Sequence, residues 1–206
     1  MPSSFEKFKA LHSEKELFLL PNAWDARSAL VFQESGFAAI GTSSAAVANS
    51  FGLEDGQNMT LEDYLFVIKK ILAAIKVPLT VDFEMGYGEN DEAIAENICN
   101  LATLGVAGIN IEDSYIDKEG RKLKDATVFA NTINHIKAKL KSRNLDLFVN
   151  LRCDTHILNI ASKETEIISR LKIYNKTKAD VRFCRKPRKF IRDVGKFPTL
   201  WRVCAE

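Results

Sequence analysis

The chain has 206 residues, enough for one sizeable domain, and its 46% hydrophobic and 27% charged content is that of an ordinary globular protein. Its longest apolar stretches, such as Val106–Ile111, are too short to cross a bilayer. The first residues mix charges early and lack the apolar centre of a secretory signal, so we expect a cytoplasmic protein. The four cysteines form no CxxC pair and have no His at metal-ligand spacing, which argues against a zinc site.

Short β-like runs alternate with longer amphipathic helical periods along the first part of the chain. Leu17–Pro21 and Phe37–Gly41 are predicted to be strands, and Asp25–Glu34 is predicted to be the helix between them. Thr60 is predicted to cap a long helix that continues to Lys76, with Asp63 three residues further on as a variant of the capping box.

The same alternation continues to residue 176. Three further strands and three further helices are predicted: strands Leu79–Glu84, Gly108–Glu112 and Leu147–Arg152, and helices Asp91–Leu104, Ala126–Lys141 and Lys163–Lys176. Strands that alternate with amphipathic helices indicate parallel βαβ units, which build either a (β/α) barrel or a doubly wound sheet. The first predicted strand is not followed by GxGxxG, which argues against a dinucleotide-binding fold.

Polar residues at the carboxyl ends of three predicted strands favour the barrel. Asp82 and Glu84 close one strand, Glu112 closes the next, and Arg152 closes a third. In a barrel of the TIM type, this rim is where active sites are built. We therefore predict an α/β fold of that type, a (β/α) barrel.

These residues form a chemically coherent set. Asp82 and Glu84, two apart on a predicted strand, should face the same way, and carboxylates so placed repel unless a cation separates them or one is protonated. Hard oxygen ligands suit Mg²⁺ or Mn²⁺. Arg152 could hold a substrate carboxylate with its guanidinium fork, and Asp154 could orient Arg152. The alternative, that any one of these acids is only a turn or cap residue, stays open.

Four segments carry a specific resemblance: Val81-Asp-Phe-Glu-Met-Gly-Tyr-Gly88, Gly108-Ile-Asn-Ile-Glu-Asp-Ser114, Val149-Asn-Leu-Arg-Cys-Asp-Thr155, and Thr42-Ser-Ser-Ala45 with Gly52-Leu-Glu-Asp55. They resemble the D-x-D/E-x-G-Y-G, G-x-x-I-E-D, R-T-D and second-strand loop motifs of the isocitrate lyase / phosphoenolpyruvate mutase superfamily. Their order and spacing agree with the family over some two-thirds of the chain, from about Leu17 to Asp154.

The resemblance implies a Mg²⁺-dependent (or Mn²⁺-dependent) lyase or mutase similar to the phosphoenolpyruvate mutase branch. Such enzymes break or remake a C–C or P–C bond of an oxo-acid through an enolate-like intermediate. The resemblance implies that the metal is bound by Asp82, Glu84 and Glu112, largely through waters. It implies that the substrate is bound by Thr42, Ser43, Ser44 and Arg152. The implied catalytic residues are Arg152 and Asp55, with Asp55 near the metal.

One loop departs from the family pattern. Family lyases that act on isocitrate-like substrates carry K-x-C-G-H after the fourth strand, and the Cys acts as a catalytic acid. Here that stretch is Asp117-Lys-Glu-Gly-Arg-Lys122, with Gly120 where the Cys would be. The Asn-Ser pair of the phosphonate-forming mutases is absent from this sequence as well. The substrate and the bond type are therefore left open.

The end of the chain also departs from the family. Ala179-Asp180 resembles the start of the sixth strand, but only 206 − 180 = 26 residues follow, and each βαβ step takes about 30. We therefore expect an incomplete barrel of five to six βα units in residues 1–180, and a basic tail in residues 181–206 that does not pack as barrel. The tail's eight basic residues are Arg182, Arg185, Lys186, Arg188, Lys189, Arg192, Lys196 and Arg202.

Three functions follow from these observations. The first is an active lyase or mutase with a small-molecule carboxylate as its partner. The second is a truncated, non-catalytic relative whose barrel does not close. The third is nucleic-acid binding through the tail, which we rank last because the tail has no aromatic–basic repeat and no recognised module. We expect no membrane partner, and a homo-oligomer is compatible with the sequence.

Overall fold

A computed structural model describes residues 2–13, 19–56, 59–158, 160 and 163–184. No helix in these ranges is both long and apolar enough to span a membrane. The architecture is parallel α/β, in which strands and helices alternate along the chain. The strands are β1 (Asn22–Ala23), β2 (Ile40–Thr42), β3 (Leu79–Asp82), β4 (Gly108–Glu112), β5 (Ser114–Asp117), β6 (Gly120–Leu123), β7 (Phe148–Cys153) and β8 (Val181–Cys184).

Six of these strands form one parallel sheet in the order β1-β2-β3-β4-β7-β8. Strands β5 and β6 form a separate antiparallel hairpin between β4 and α6 (Ala126–Ser142). The first predicted strand was placed too early: β1 begins at Asn22, after Pro21, and Leu17 and Phe18 lie outside the described residues. The second is Ile40–Thr42 rather than Phe37–Gly41, because pairing to β3 begins only at Ile40.

Helices flank the sheet, and most begin where the sequence predicts. They are α1 (Ser4–Ser13), α2 (Ala26–Glu34), α3 (Ser44–Ser50), α4 (Leu61–Ala74), α5 (Asp91–Thr103), α6 and α7 (Lys163–Tyr174). Asp25 and Thr60 act as N-caps, since each side chain accepts a hydrogen bond from the third residue of its helix. Helices α1 and α3 were not predicted from the sequence.

The core lies between the sheet and the helices. Val81, Ile109 and Leu151, on three neighbouring strands, are fully buried together with apolar side chains of α4, α5 and α6. At the amino ends of the strands, α1 inserts Phe8 against Gly108 and Phe148. This burial leaves the carboxyl ends of the strands as the edge where polar side chains meet.

The sequence prediction for the segment after Asp180 was wrong for four residues. Val181–Cys184 form β8, which runs parallel to β7 in register from Asn150 to Cys153. Arg182 is buried, and its guanidinium donates hydrogen bonds to the carbonyls of Tyr174 (3.0 Å) and Thr177 (2.6 Å). An Arg that satisfies carbonyls at the end of a helix can be part of a core, which a charge count does not reveal. Residues 185–206 lie outside the described residues.

Candidate active site

Three of the predicted residues meet at the carboxyl ends of β3, β4 and β7. Arg152 Nη1 lies 2.7 Å from Glu112 Oε1 and 3.7 Å from Asp82 Oδ1. Only 12% of the Arg152 side chain is exposed, and Glu112 is almost completely buried. The positive charge between the Asp82 and Glu112 carboxylates is therefore the guanidinium of Arg152, which lies on β7.

The loop after β2 joins this group through Ser44. Ser44 Oγ lies 3.0 Å from Asp82 Oδ2 and 3.2 Å from Asp55 Oδ1, so one hydroxyl hydrogen serves two carboxylates. The other oxygen, Asp82 Oδ1, is shielded from solvent and has no hydrogen-bond donor among the described residues. The structure thus brings Asp55 and Ser44 beside Asp82, with the Ser44 hydroxyl donating to the two carboxylates.

Thr42 and Ser43 contribute differently. The Asp82 backbone N–H donates to Thr42 Oγ1 (3.0 Å), and the Tyr64 hydroxyl donates to the Asp82 carbonyl (2.8 Å). The Thr42 hydroxyl, 2.8 Å from Tyr64, therefore gives its hydrogen to Tyr64 and has none left for an anion. Ser43 caps α3 by accepting a hydrogen bond from the Ala46 N–H. The Ser43 backbone N–H already donates to the Ala23 carbonyl (3.3 Å), so the group of Ser43 that can still donate a hydrogen bond is its hydroxyl.

Glu84 lies in a turn and not on the strand. Strand β3 ends at Asp82, and Glu84 has a left-handed backbone (φ 46°), as does Tyr87 (φ 54°). The expected shared face of Asp82 and Glu84 was therefore wrong, because strand alternation stops before Glu84. The Tyr87 hydroxyl donates to Glu84 Oε1, and Asn97 Nδ2 donates to the Tyr87 carbonyl (2.7 Å). Left-handed non-glycine residues that their surroundings hold in place cluster at functional sites.

A second arginine, absent from the sequence prediction, also reaches Glu112. Arg121, on β6, places Nη1 2.5 Å from Glu112 Oε2, 3.1 Å from Ser114 Oγ and 3.3 Å from Asp154 Oδ2. Asp154 Oδ1 accepts from Arg152 Nε at 2.7 Å, so the predicted orienting role of Asp154 has a structural basis. Arg121 belongs to the loop that departs from the family pattern, and β-strand register offered no reason to place it here.

A buried polar network supports Asp154 from below. Asp113 Oδ1 accepts from the Asp154 N–H at 2.8 Å. Its other oxygen accepts from Arg170 Nη1 (3.1 Å) and from the Tyr174 hydroxyl (2.7 Å), both on α7. Because every member is buried and paired, this network fixes the end of β7 against α7. Asp154, which accepts a hydrogen bond from Arg152, is thus itself held in place by Asp113.

The pKa values of Asp82 and Glu112 are raised, so the positive charge of the two nearby arginines does not fully compensate these buried carboxylates. Burial raises the pKa of Glu112 to about 8, and the neighbouring Asp154 and Asp82 add to the shift while Arg152 and Arg121 oppose it. Burial also raises the pKa of Asp82, against the opposing effects of Arg152 and the Ser44 hydroxyl. The surrounding carboxylates raise the pKa of Arg152 despite its burial, so its guanidinium stays charged. A further cation at this site would stabilise the ionised carboxylates.

The carboxylates of Asp82, Glu84 and Glu112 meet only part of what a hard divalent cation requires of its ligands. In the part of the chain that the structure describes, no group of three or more His, Cys, Asp or Glu side chains is placed so that it could hold a metal ion. Asp82, Glu84 and Glu112 are thus not assembled as a direct ligand set. The shielded oxygen Asp82 Oδ1, which lacks a donor, is however the kind of atom that a hydrated Mg²⁺ binds, with water reaching the other carboxylates.

The chain is similar to known proteins over most of its length. A family model described as phosphoenolpyruvate phosphomutase matches residues 8–200. The chain belongs to this family. An uncharacterised protein of Mycobacterium tuberculosis is 39% identical over 173 residues (84% of this chain, 62% of the relative), and 2-methylisocitrate lyase of Salmonella typhimurium is 29% identical over 181 residues (86% and 61%). The chain therefore spans about three-fifths of the length of these curated members of the family.

Solved structures confirm the fold of this phosphoenolpyruvate phosphomutase family member. A Burkholderia cenocepacia protein provisionally named a phosphonomutase superposes with a TM-score of 0.80 at 32% identity, covering 88% of this chain and 74% of that one. The predicted parallel α/β fold of the superfamily's barrel type is thus confirmed. The segment that lacks the family's loop motifs is the β5–β6 hairpin, and Gly120, with φ 109°, forms its turn.

Proposed function

We propose that the protein is a Mg²⁺-dependent lyase or mutase that cleaves or rearranges a C–C or P–C bond of an oxo-acid or related carboxylate through an enolate-like intermediate. The observation that carries the proposal is the convergence of Arg152, Asp82 and Glu112 at the carboxyl ends of three neighbouring strands. Family membership and the similarity to a 2-methylisocitrate lyase support a lyase or mutase of this class.

Arg152 is the residue that would bind the substrate carboxylate. Glu112 fixes its Nη1 and Asp154 fixes its Nε, both at 2.7 Å. Its Nη2 has no acceptor among the described residues, so two N–H groups remain for a substrate carboxylate. Because two carboxylates already fix the guanidinium, little rotamer entropy is lost when an anion binds.

The metal would lie next to Asp82, with Glu84 and Glu112 reached through water. Bound Mg²⁺ would supply charge stabilisation for an enolate oxygen. Asp55, which shares the Ser44 hydroxyl with Asp82, would place a further carboxylate beside the substrate. Burial of these groups strengthens each electrostatic interaction and limits access of water to a reactive enolate.

Calorimetry with oxalate, a flat mimic of the pyruvate enolate, tests the proposal. Oxalate should bind the wild-type protein in Mg²⁺ or Mn²⁺ and not in EDTA. Asp82→Ala should abolish this binding. Glu96→Ala, which removes an exposed α5 carboxylate paired with Arg143 just after α6, should leave it unchanged. Equal oxalate binding in Mg²⁺ and in EDTA would contradict the proposal.

A further inference from the structure

The β5–β6 hairpin brings a second guanidinium to the site with most of its donors unused. In the described part of the chain, the Arg121 side chain forms its hydrogen bonds and ion pairs, with Glu112, Ser114 and Asp154, through Nη1. Its Nε and Nη2 have no acceptor among the described residues, and 18% of the side chain is exposed. Three of the five N–H donors of this guanidinium therefore remain available to a ligand.

The unused side of Arg121 faces the loop that carries Asp55. A Cβ added to Gly56 would lie 3.6 Å from Arg121 Nη2 and 2.6 Å from Ile116 Cδ1. Gly56 has a left-handed backbone (φ 100°), so glycine suits both the turn and the close approach of the hairpin. The hairpin and the loop after α3 thus meet beside the site, and Nη2 lies where they meet.

Arg121 and Arg152 share two carboxylates, those of Glu112 and Asp154. Arg152 contacts Glu112 Oε1, and Arg121 contacts Glu112 Oε2. Asp154 also holds both, Arg152 through Oδ1 and Arg121 through Oδ2. The two guanidiniums are therefore fixed side by side on separate elements, β7 and β6, and each has an Nη2 without an acceptor. A ligand with one carboxylate would use the donors of Arg152 and leave those of Arg121 unpaired.

We infer that Arg121 is a specificity-determining residue that binds a second anionic group of the substrate, a carboxylate or a phosphoryl group, while Arg152 binds the first carboxylate. The inference rests on the proposed function of the same site. A substrate with two anionic ends pairs both guanidiniums, and discrimination is strong when a site's polar groups would otherwise stay unpaired.

Three anions separate the role of Arg121 from that of the rest of the site. Oxalate is too short to need a second arginine, malate adds a distant carboxylate, and phosphonopyruvate adds a phosphonate. Each is titrated by calorimetry in saturating Mg²⁺ into the wild type, Arg121→Gln, Arg121→Lys and the control Lys122→Gln. Lys122 is the neighbouring cation on the same strand, and it pairs with Asp117 and Glu119 at the surface.

Arg121→Gln should weaken binding of malate, phosphonopyruvate or both by about 10- to 150-fold, the range for lost hydrogen bonds to charged groups. Oxalate binding should stay within about threefold, which also shows that the site is folded. Arg121→Lys should recover part of the loss, and Lys122→Gln should match the wild type. Weakened malate binding would identify the second group as a carboxylate, and weakened phosphonopyruvate binding would identify it as a phosphoryl group.

Results that would overturn the role of Arg121 differ from the result that would overturn the proposed function. Equal weakening of all three anions, or no weakening of any, would overturn the role of Arg121, as would a wild type that binds oxalate but neither malate nor phosphonopyruvate. A wild type that does not bind oxalate in Mg²⁺ would overturn the proposed function, and this inference with it.

Discussion

Replacement of Arg152 by lysine probes the part of the site on which the proposal depends most. Arg152 uses Nη1 for Glu112 and Nε for Asp154, and it keeps Nη2 for a ligand. A lysine ammonium is a point charge and cannot hold two carboxylates in fixed positions while presenting a planar pair of donors. Loss of one partner in a buried, charged hydrogen-bonded pair costs about 2–5 kcal/mol.

That free energy corresponds to a loss of oxalate affinity of about 30- to 5000-fold. The assay is calorimetry with oxalate in saturating Mg²⁺, with thermal unfolding recorded for each variant. Arg143→Lys is the matched control, because Arg143 forms a bidentate pair with Glu96 at the protein surface, where such pairs contribute about 0–1 kcal/mol. Unchanged oxalate affinity in Arg152→Lys, with wild-type stability, would show that Arg152 is a structural residue.

Two further predictions concern groups around the strand ends. Tyr64→Phe removes the hydroxyl that joins Thr42 to the Asp82 carbonyl, and it should lower the free energy of unfolding in urea by about 1–3 kcal/mol. The control Tyr115→Phe, at an exposed position, should change this free energy little. Equal effects of the two substitutions would contradict the role of the buried hydroxyl. Glu112 has a pKa of about 8 in the folded protein against an ordinary 4.5, so its contribution to stability is fully present below pH 4.5 and is lost as pH rises through 8. In metal-free protein, Glu112→Gln should therefore remove a fall in the free energy of unfolding between these pH values, and an unchanged pH profile would refute the raised pKa.

The strand ends could be predicted because they obey local rules. Val149, Leu151 and Arg152 follow an apolar strand pattern with a charged end, and parallel strands bring such ends to one edge of a sheet. The register of β4 with β7 then pairs Glu112 with Arg152 directly. Asp154 lies two residues after Arg152, and this spacing brings its carboxylate to the same side as the Arg152 side chain.

Other features depend on contacts between distant parts of the chain. Arg121 reaches Glu112 only because the hairpin folds back over β4, and no periodicity in its sequence indicates that return. Glu84 looked like a strand residue because its left-handed backbone cannot be read from the identity of a non-glycine residue. Arg182 looked like part of a solvated tail, although the carbonyls that end α7 accept its hydrogen bonds inside the fold.

The Tyr64 hydroxyl offered a signal that could have been used. Tyr64 lies on the apolar stripe of α4, and a buried tyrosine hydroxyl needs a hydrogen-bond partner. The apolar stripe faces the sheet, so a partner near the end of β2 or β3 follows from the fold. The structure places that partner at Thr42 and at the Asp82 carbonyl.

The proposed function requires a divalent metal and an anionic ligand to occupy this site together. Its most direct test is a set of oxalate titrations at increasing Mg²⁺, paired with Mg²⁺ titrations at increasing oxalate. Each ligand should raise the affinity of the other by the same factor, as linkage requires, and Asp82→Ala should remove this coupling. Oxalate affinity that does not change with Mg²⁺ concentration in the wild-type protein would contradict it.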